Sequence, residues 1–148
     1  MHKILVLHGP NLNLLGIREP NLYGNITLDS INSHITKISS LNQIQIECFQ
    51  SNIEGELINK TQEALHNFDF MIINPAGLTH TSIAWRDAVL ATNKPFIEVH
   101  LSNIYAREVF RHKSYFSDIA LGVISGLGAN SYELAIAYAI NNYFKKGK

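Results

Sequence analysis

The feature that most constrains the fold of this chain is a regular alternation of short apolar runs with longer amphipathic stretches. Five runs rich in β-branched and aromatic residues predict strands at residues 3–8, 43–49, 70–74, 96–100 and 119–124. Strand and helix alternating in this way form a parallel sheet with right-handed crossovers and helices on both faces. We therefore expect an α/β fold, flavodoxin-like and doubly wound around a five-stranded parallel sheet.

The stretches between the predicted strands repeat apolar residues at steps of three and four, which is typical of helices. These stripes are Leu28, Ile31, Ile35 and Ile38; Leu57, Thr61 and Leu65; and Ile83, Ala88 and Ala91. Thr27 is placed to cap the first helix. Asn130, with Glu133 three residues later, predicts the start of a last helix that continues over residues 134–144.

Length and composition favour one compact domain. The chain has 148 residues, of which 46% are hydrophobic, enough for a substantial core. It contains no linker, repeat or low-complexity tract, so a single catalytic domain over residues 1–148 is expected. Twelve basic and twelve acidic side chains cancel, which argues against nucleic acid as a partner.

Cysteine content and apolar run length predict where the protein works. Cys48 is the only cysteine and has no Cys or His neighbour at metal-ligand spacing, so neither a disulfide nor a metal site is expected. The first apolar run, residues 4–7, is too short for a signal peptide, and no run approaches the length of a membrane span. We expect a cytoplasmic protein that is neither targeted nor attached to a membrane.

Polar residues cluster at one predicted edge of the sheet. In doubly wound sheets, ligands bind beyond the carboxyl ends of the strands, near the point where strand order reverses. The segments HGPNLN, NPAGLTH and HLSN follow the first, third and fourth predicted strands. Asn11, Asn13 and Asn74 in these segments offer a donor and an acceptor to a polyhydroxylated ligand. Asparagine is also a common turn residue, so both interpretations stay open.

The segment GPNLNLLGIREPNLYG, residues 9–24, lacks periodicity and is longer than the roughly 2–6 residues of most strand–helix connections. It is either a lid or a surface loop on which Arg18 and Tyr23 are solvated. Tyr23 can act as a base only if its pKa falls from about 10 to about 7, which requires about 4 kcal/mol. One guanidinium at about 4 Å contributes roughly that much before desolvation, so Arg18 together with Arg111 would suffice.

Two histidines are further candidates. His100 ends a predicted strand, and Glu98 lies two residues earlier, hence on the same face. A carboxylate there can orient the imidazole as a general acid, although a strand-end histidine is often structural. His80 precedes a predicted helix that Thr79, Thr81 or Ser82 can cap. It either donates to a ligand hydroxyl or closes the turn.

Other chemistries lack the residues they need. The segment GLGANS, residues 126–131, has no third glycine and follows the last predicted strand, so it predicts a helix entry rather than a dinucleotide site. Neither GxxxxGK[ST] nor GxSxG occurs. The lysines mostly fall outside the polar segments, with Lys113 nearest, which argues against an imine mechanism.

Four motifs together resemble the type II 3-dehydroquinate dehydratases: GPNLNLLGIREPNLYG at residues 9–24, NPAGLTHTS at 74–82, EVHLSN at 98–103 and AREVFR at 106–111. The resemblance covers nearly the whole chain. It implies a cofactor-free trans-dehydration of 3-dehydroquinate to 3-dehydroshikimate through an enolate, in the shikimate pathway of aromatic amino acid biosynthesis. It also implies a homododecamer built as a tetramer of trimers.

The resemblance assigns roles to the residues of these motifs. It makes Tyr23 the proton acceptor, Arg18 the lid residue that stabilises the transition state, and His100 the proton donor to the departing hydroxyl. Asn11 would help to position a water that supports the enolate oxygen. Asp87 would contribute across a trimer contact.

The remaining motif residues are implied to bind the substrate. Leu101 and Ser102 would hold its carboxylate. Asn74, His80 and Arg111 would complete the substrate site.

Two functions other than catalysis remain open for this chain. A flavodoxin-like domain can carry a flavin or nucleotide without catalysing a reaction, and apolar helices can serve a purely structural assembly. The appearance of a conjugated enone when the protein meets 3-dehydroquinate separates an enzyme from both.

Overall fold

The computed structural model describes residues 1–17 and 25–145. Five strands form one sheet with the order β2-β1-β3-β4-β5, parallel at every pairing. Their bounds are β1 (Lys3–His8), β2 (Gln45–Gln50), β3 (Phe70–Asn74), β4 (Phe96–His100) and β5 (Gly122–Ser125). The order reverses between β1 and β3, which is the switch point of a flavodoxin-like sheet. The predicted fold class is confirmed.

Helices cover both faces of this sheet. They are α1 (Leu28–Leu41), α2 (Glu54–Gln62), α3 (Ala64–Asn67), α4 (Ile83–Thr92) and α5 (Asn130–Tyr138), which continues as a π-helical segment over Ala139–Phe144. Short 3₁₀ segments follow β1, β3 and β4, at Leu12–Leu14, Ala76–His80, Ile104–Ala106 and Val109–Arg111. Among the helices of the described residues, none is long and apolar enough to cross a membrane.

Alternate residues of the central strands enter two separate cores. Val6 of β1 belongs to the core that α1 and α5 cover, together with its ladder neighbour Ile72. The next residue, Leu7, belongs to the core that α2 and α4 cover, which also contains Trp85. Each fully buried aliphatic side chain contributes about 1.5–3 kcal/mol. Burial on both faces explains why these strands are apolar without interruption.

Two predicted strands begin later than expected. At β2 the backbone of Gln43 has a φ of +59°, and the N–H of Ile44 donates to the carbonyl of Ser39 in α1. These residues therefore finish the helix, and the strand starts at Gln45. Before β5, Ile119 and residue 120 both donate back to the carbonyl of Phe116, so the strand starts at residue 122 and not at residue 119.

The helical stripes were predicted with the right period but not always on the right face. Leu28, Ile31 and Ile35 are buried as expected, and Ile38 is half-buried. Leu65, by contrast, is 46% exposed.

In α4 the predicted face was wrong except for Ala88. Ile83 is 56% exposed, and Ala91 is exposed as well. The buried face passes through Trp85 and Val89 instead, because the indole offers the largest apolar surface on this helix and packs against Phe116.

Of the caps predicted for the first and last helices, one is confirmed. The Thr27 hydroxyl accepts from the N–H of Ser30 in a reciprocal capping box. Asn130, however, is the first residue of α5 and not its cap, a position that Ala129 occupies without a side-chain bond. The chain turns toward this helix at Gly128, whose φ is +63°. Gly128 lies in the segment GLGANS, which was predicted as a helix entry.

A close backbone approach joins β1 to β3 at the carboxyl edge. The N–H of Gly9 donates to the carbonyl of Asn74 at 2.8 Å. A Cβ atom on Gly9 would lie 2.4 Å from the carbonyl oxygen of Pro75, a distance that no side chain tolerates. Gly9 therefore allows the loops after β1 and β3 to meet.

Candidate active site

A polar cavity of about 180 Å³ lies at the carboxyl edge of the sheet, between the segments that follow β1, β3 and β4. Seven residues singled out in the sequence line it: Asn11, Asn74, His80, His100, Leu101, Ser102 and Arg111. They converge because the carboxyl ends of parallel strands share one edge, and this edge holds the switch point.

Three of the predicted residues remain. Asp87 is exposed on α4 and is not among the described residues that line the cavity. Arg18 and Tyr23 lie outside the described residues. Their predicted roles stay predictions.

His100 is held by a buried carboxylate. Its Nε2–H donates to Oε2 of Glu98, and the side chains are 5% and 0% exposed. The predicted pairing of residues two apart on one strand is therefore present. With Nε2 engaged, Nδ1 is the ring nitrogen left for chemistry, and it carries a transferable proton only when the ring is an imidazolium.

Two serine hydroxyls complete the surroundings of Glu98. Ser114 donates to Oε2 at 2.9 Å and Ser117 to Oε1 at 2.7 Å. Hydrogen bonds of this kind favour the charged form of a carboxyl group. Together, Glu98 and the two serines hold the imidazole of His100 in one orientation. Neither serine was predicted from the sequence, because nothing in the strand's pattern indicates which loop will cover Glu98.

The segment after His100 is fixed by the turn between β5 and α5. The N–H of Gly126 donates to the carbonyl of His100 at 3.2 Å, and the N–H of Gly128 to that of Leu101 at 2.9 Å. The Ser125 hydroxyl donates to the carbonyl of Ser102 at 3.1 Å. These bonds hold the backbone of residues 100–102 in place at the cavity wall.

His80 both closes a turn and faces the cavity. Its Nδ1–H donates to the carbonyl of Lys113 at 2.7 Å, so neutral His80 presents Nε2 as an acceptor. Burial lowers the pKa of His80, and the nearby positive charge of Arg111 lowers it further, which favours the neutral form. Of the three predicted cap residues, Ser82 caps α4 by accepting from the N–H of Trp85 at 3.0 Å.

Asn74 is held by a second buried network, on the opposite face of the sheet. Its Nδ2 donates to the hydroxyl of Tyr132 at 3.0 Å. The same hydroxyl lies 2.9 Å from Nδ1 of His8, whose Nε2 lies 2.8 Å from Oδ1 of Asn32. Neither His8 nor Tyr132 was predicted as part of the site.

Asn11 adopts a left-handed backbone conformation with φ +70°, which asparagine tolerates better than most residues. Its N–H donates to Oδ1 of Asn52 at 2.8 Å. The chain turns at this residue, and the turn brings Asn11 and its neighbours Pro10 and Leu12 to the cavity wall. Asn11 therefore both forms a turn and lies at the cavity.

Within residues 1–17 and 25–145, two arginines line the cavity. Arg111 was predicted, and its Nε donates to the carboxylate of Glu108. Arg107 was missed, although the motif AREVFR contains both; its Nη1 donates to the hydroxyl of Ser102 at 3.4 Å. Two guanidinium groups favour a ligand that carries an anionic group.

Among residues 1–17 and 25–145, no three His, Cys, Asp or Glu side chains come together in a cluster that could hold a metal ion. Cys48 is half-buried, and burial raises the pKa of its thiol to about 12. The thiol is therefore protonated and a poor ligand or nucleophile.

A doubly wound sheet with a polar cavity at its switch point is the arrangement of an α/β enzyme. The family model described as Dehydroquinase class II matches residues 2–140. The 3-dehydroquinate dehydratase of Nitrosomonas eutropha is 63% identical over 139 residues, or 93% of this chain and 96% of the relative. That of Haemophilus influenzae is 55% identical over 145 residues, or 98% and 97%.

Solved structures give the same result. The type II dehydroquinase from Propionibacterium acnes superposes with a TM-score of 0.92 at 39% identity, covering 96% of this chain and 98% of the other. That from Butyrivibrio crossotus gives 0.91 at 45% identity, covering 95% and 98%. The chain belongs to the class II dehydroquinase family, and the predicted enzyme class, a type II hydro-lyase, is confirmed.

The network around His8 predicts a dependence of stability on pH. Burial lowers the pKa of His8 from 6.5 to about 4, so between these values the unfolded chain binds a proton that the folded protein does not. The free energy of unfolding should therefore fall as the pH drops from 6.5 to 4, by roughly 3 kcal/mol from this residue.

Urea unfolding of the wild type and of His8→Asn across this pH range measures the effect. The wild type should lose more stability on acidification than the variant, since the variant lacks the titrating ring. Parallel curves would contradict the prediction.

Proposed function

We propose that this protein dehydrates 3-dehydroquinate to 3-dehydroshikimate, the reaction named for its relatives. The observation that carries the proposal is the His100–Glu98 pair: a histidine whose Nε2 is engaged by a buried carboxylate and which lines a cavity beside two arginines. Such a group is suited to donate a proton to a leaving hydroxyl. The identity of the proposed substrate comes from the membership of this chain in the class II dehydroquinase family.

In the proposed reaction, a base removes a proton from the carbon next to the ketone. The electron pair of that C–H bond moves toward the carbonyl oxygen and forms an enolate. The enolate then expels the hydroxyl group from the adjacent carbon, and the Nδ1–H of protonated His100 gives it a proton, so that water leaves. The product is a conjugated enone. Glu98 stabilises the imidazolium before the transfer and holds the neutral ring afterwards.

Tyr23 is the proposed base, with Arg18 stabilising the transition state. A phenol with a pKa near 10 must become an anion at neutral pH, which needs about 4 kcal/mol. A guanidinium about 4 Å away contributes roughly that much at an effective dielectric constant of about 20, before desolvation is subtracted. Arg107 and Arg111 line the cavity and supply the positive potential that this ionisation requires.

The remaining lining residues are proposed to hold the substrate. The substrate carboxylate would be held by the segment of Leu101 and Ser102, a position that the bonds from the β5–α5 turn keep fixed. Arg111 favours the same anion. His80, with its acceptor Nε2, suits a substrate hydroxyl. Asn11 would help to position a water that supports the enolate oxygen.

The chemistry proposed here uses side chains alone, without a cofactor. The single catalytic domain over residues 1–148 is proposed to work in the cytoplasm, within the shikimate pathway. We also propose a homododecamer of four trimers, in which Asp87, exposed on α4, contributes to a neighbouring site. Sedimentation of the purified protein measures that assembly, and a monomer would rule it out.

The first experiment mixes the protein with 3-dehydroquinate and follows the ultraviolet absorption of the enone. The wild type should produce the band, and Tyr23→Phe should lower kcat by about 10²- to 10⁴-fold, as expected for loss of a general base. Tyr138→Phe, the same change on α5, is the matched control and should leave kcat unchanged. A wild type that produces no enone would overturn the proposal, and an active Tyr23→Phe would overturn the role of Tyr23.

A second variant tests the pairing of His100. Glu98→Gln keeps the shape of the side chain but removes the anion that stabilises the imidazolium, so kcat should fall by about 10- to 100-fold. Glu63→Gln makes the same change at an exposed ion pair with Lys60 and should retain full activity. If folded Glu98→Gln, checked by circular dichroism, turned over like the wild type, the carboxylate would have no part in the proton transfer.

A further inference from the structure

A chain of four buried or half-buried side chains ends at the candidate site. It runs from Asn32 on α1 through His8 on β1 and Tyr132 on α5 to Asn74 on β3. At its far end, Oδ1 of Asn74 accepts from the backbone N–H of Ala76 at 3.1 Å. His8 and Tyr132 are 0% exposed, and Asn74 is 3% exposed. Only Asn74 lines the cavity.

The direction of every bond in this chain follows from one backbone group. The N–H of Ala76 can only donate, so the atom of Asn74 that faces it is the oxygen. The carboxamide nitrogen therefore faces Tyr132, whose hydroxyl must accept from it. The single hydroxyl hydrogen of Tyr132 then goes to Nδ1 of His8.

That assignment also decides the tautomer of His8. Because Nδ1 accepts, it is unprotonated, and Nε2 carries the hydrogen that is donated to Oδ1 of Asn32. The reverse orientation of Asn74 would set two donors against each other at Ala76. Ala76 is held in the left-handed region at φ +52°, in the tight turn through which a short polar side chain bonds the N–H two residues on.

Burial keeps this arrangement of protons constant. It lowers the pKa of His8 to about 4 and raises the pKa of Tyr132. Both groups are thus neutral at neutral pH. A buried network in which each polar group has its partner fixes one side-chain orientation.

We infer that Tyr132 and His8 are positioning residues, which hold the carboxamide of Asn74 so that it offers an N–H to the cavity. The site then selects an acceptor oxygen of the ligand at this point and rejects a group that can only donate. The inference rests on the proposed function, in which Asn74 binds the substrate. It adds two residues that touch neither the ligand nor the cavity.

Two substitutions of one residue test the network. The Oδ1 atom of an asparagine occupies approximately the place of Nδ1 of a histidine, so His8→Asn keeps an acceptor for Tyr132. His8→Leu has nearly the same size and has none. We expect kcat/KM for 3-dehydroquinate to stay within about threefold of the wild type in His8→Asn and to fall about tenfold or more in His8→Leu, mostly through KM. Equal kcat/KM in the two variants would overturn the inference.

Tyr132→Phe removes the hydroxyl that links the two ends of the chain. It should lower kcat/KM about tenfold or more and leave the shape of the pH profile unchanged, since neither Tyr23 nor His100 is altered. Thr61→Val is the matched control: its hydroxyl is equally buried, on the other face of the sheet, where it bonds to Trp85. This control should lower the melting temperature but not kcat/KM. A folded Tyr132→Phe with wild-type kcat/KM would overturn the inference.

The tautomer of His8 tests the same network in the wild type without substrate. Nitrogen-15 NMR at neutral pH should show His8 neutral, with hydrogen on Nε2 and none on Nδ1. A proton on Nδ1 would overturn the inference even if every variant failed to fold. A wild type without dehydratase activity but with the expected tautomer would refute the proposed function and the substrate-orienting role, while the hydrogen-bond directions would stand.

Discussion

The parallel ladder that joins β1, β3 and β4 is the interaction on which the rest of the structure depends. Each strand is buried on both faces, so its backbone groups must pair with neighbouring strands. That pairing brings the ends of the three strands to one edge, where His8 and Asn74 are ladder partners and His100 ends the neighbouring strand. The cavity lies at this edge, beside the switch point, between the segments that follow β1, β3 and β4.

Two buried polar networks approach this cavity from opposite faces of the sheet, and they are built from different groups. In one, Glu98 accepts from Ser114, from Ser117 and from Nε2 of His100. The other network keeps His8 neutral between Tyr132 and Asn32. One sheet thus holds two histidines in different surroundings: His100 lies beside the carboxyl group of Glu98, and His8 lies between the side chains of Tyr132 and Asn32.

The fold class and most of the cavity could be predicted because they depend on local periodicity and on residues that directly follow strands. Leu65 and Ile83 show where periodicity fails: it predicts a helix but not which side meets the sheet, and in α4 the large ring of Trp85 decides that. Arg107 and Arg111 lie in one motif, and the path of the chain after β4 brings both of them to the cavity. Ser114, Ser117 and Tyr132 carried no local signal, because their partners lie 16 to 124 residues away.

The sequence by itself determined the alternation of strands and helices, the order of the polar segments and the pairing of Glu98 with His100, since each depends on spacing along one element. It also carried the motifs of the family. Only the tertiary structure decided which distant side chains satisfy the buried polar groups, and with what proton arrangement. The physical reason is that a buried donor or acceptor must find a partner in space, and spatial proximity across helices and strands is not written in any local pattern.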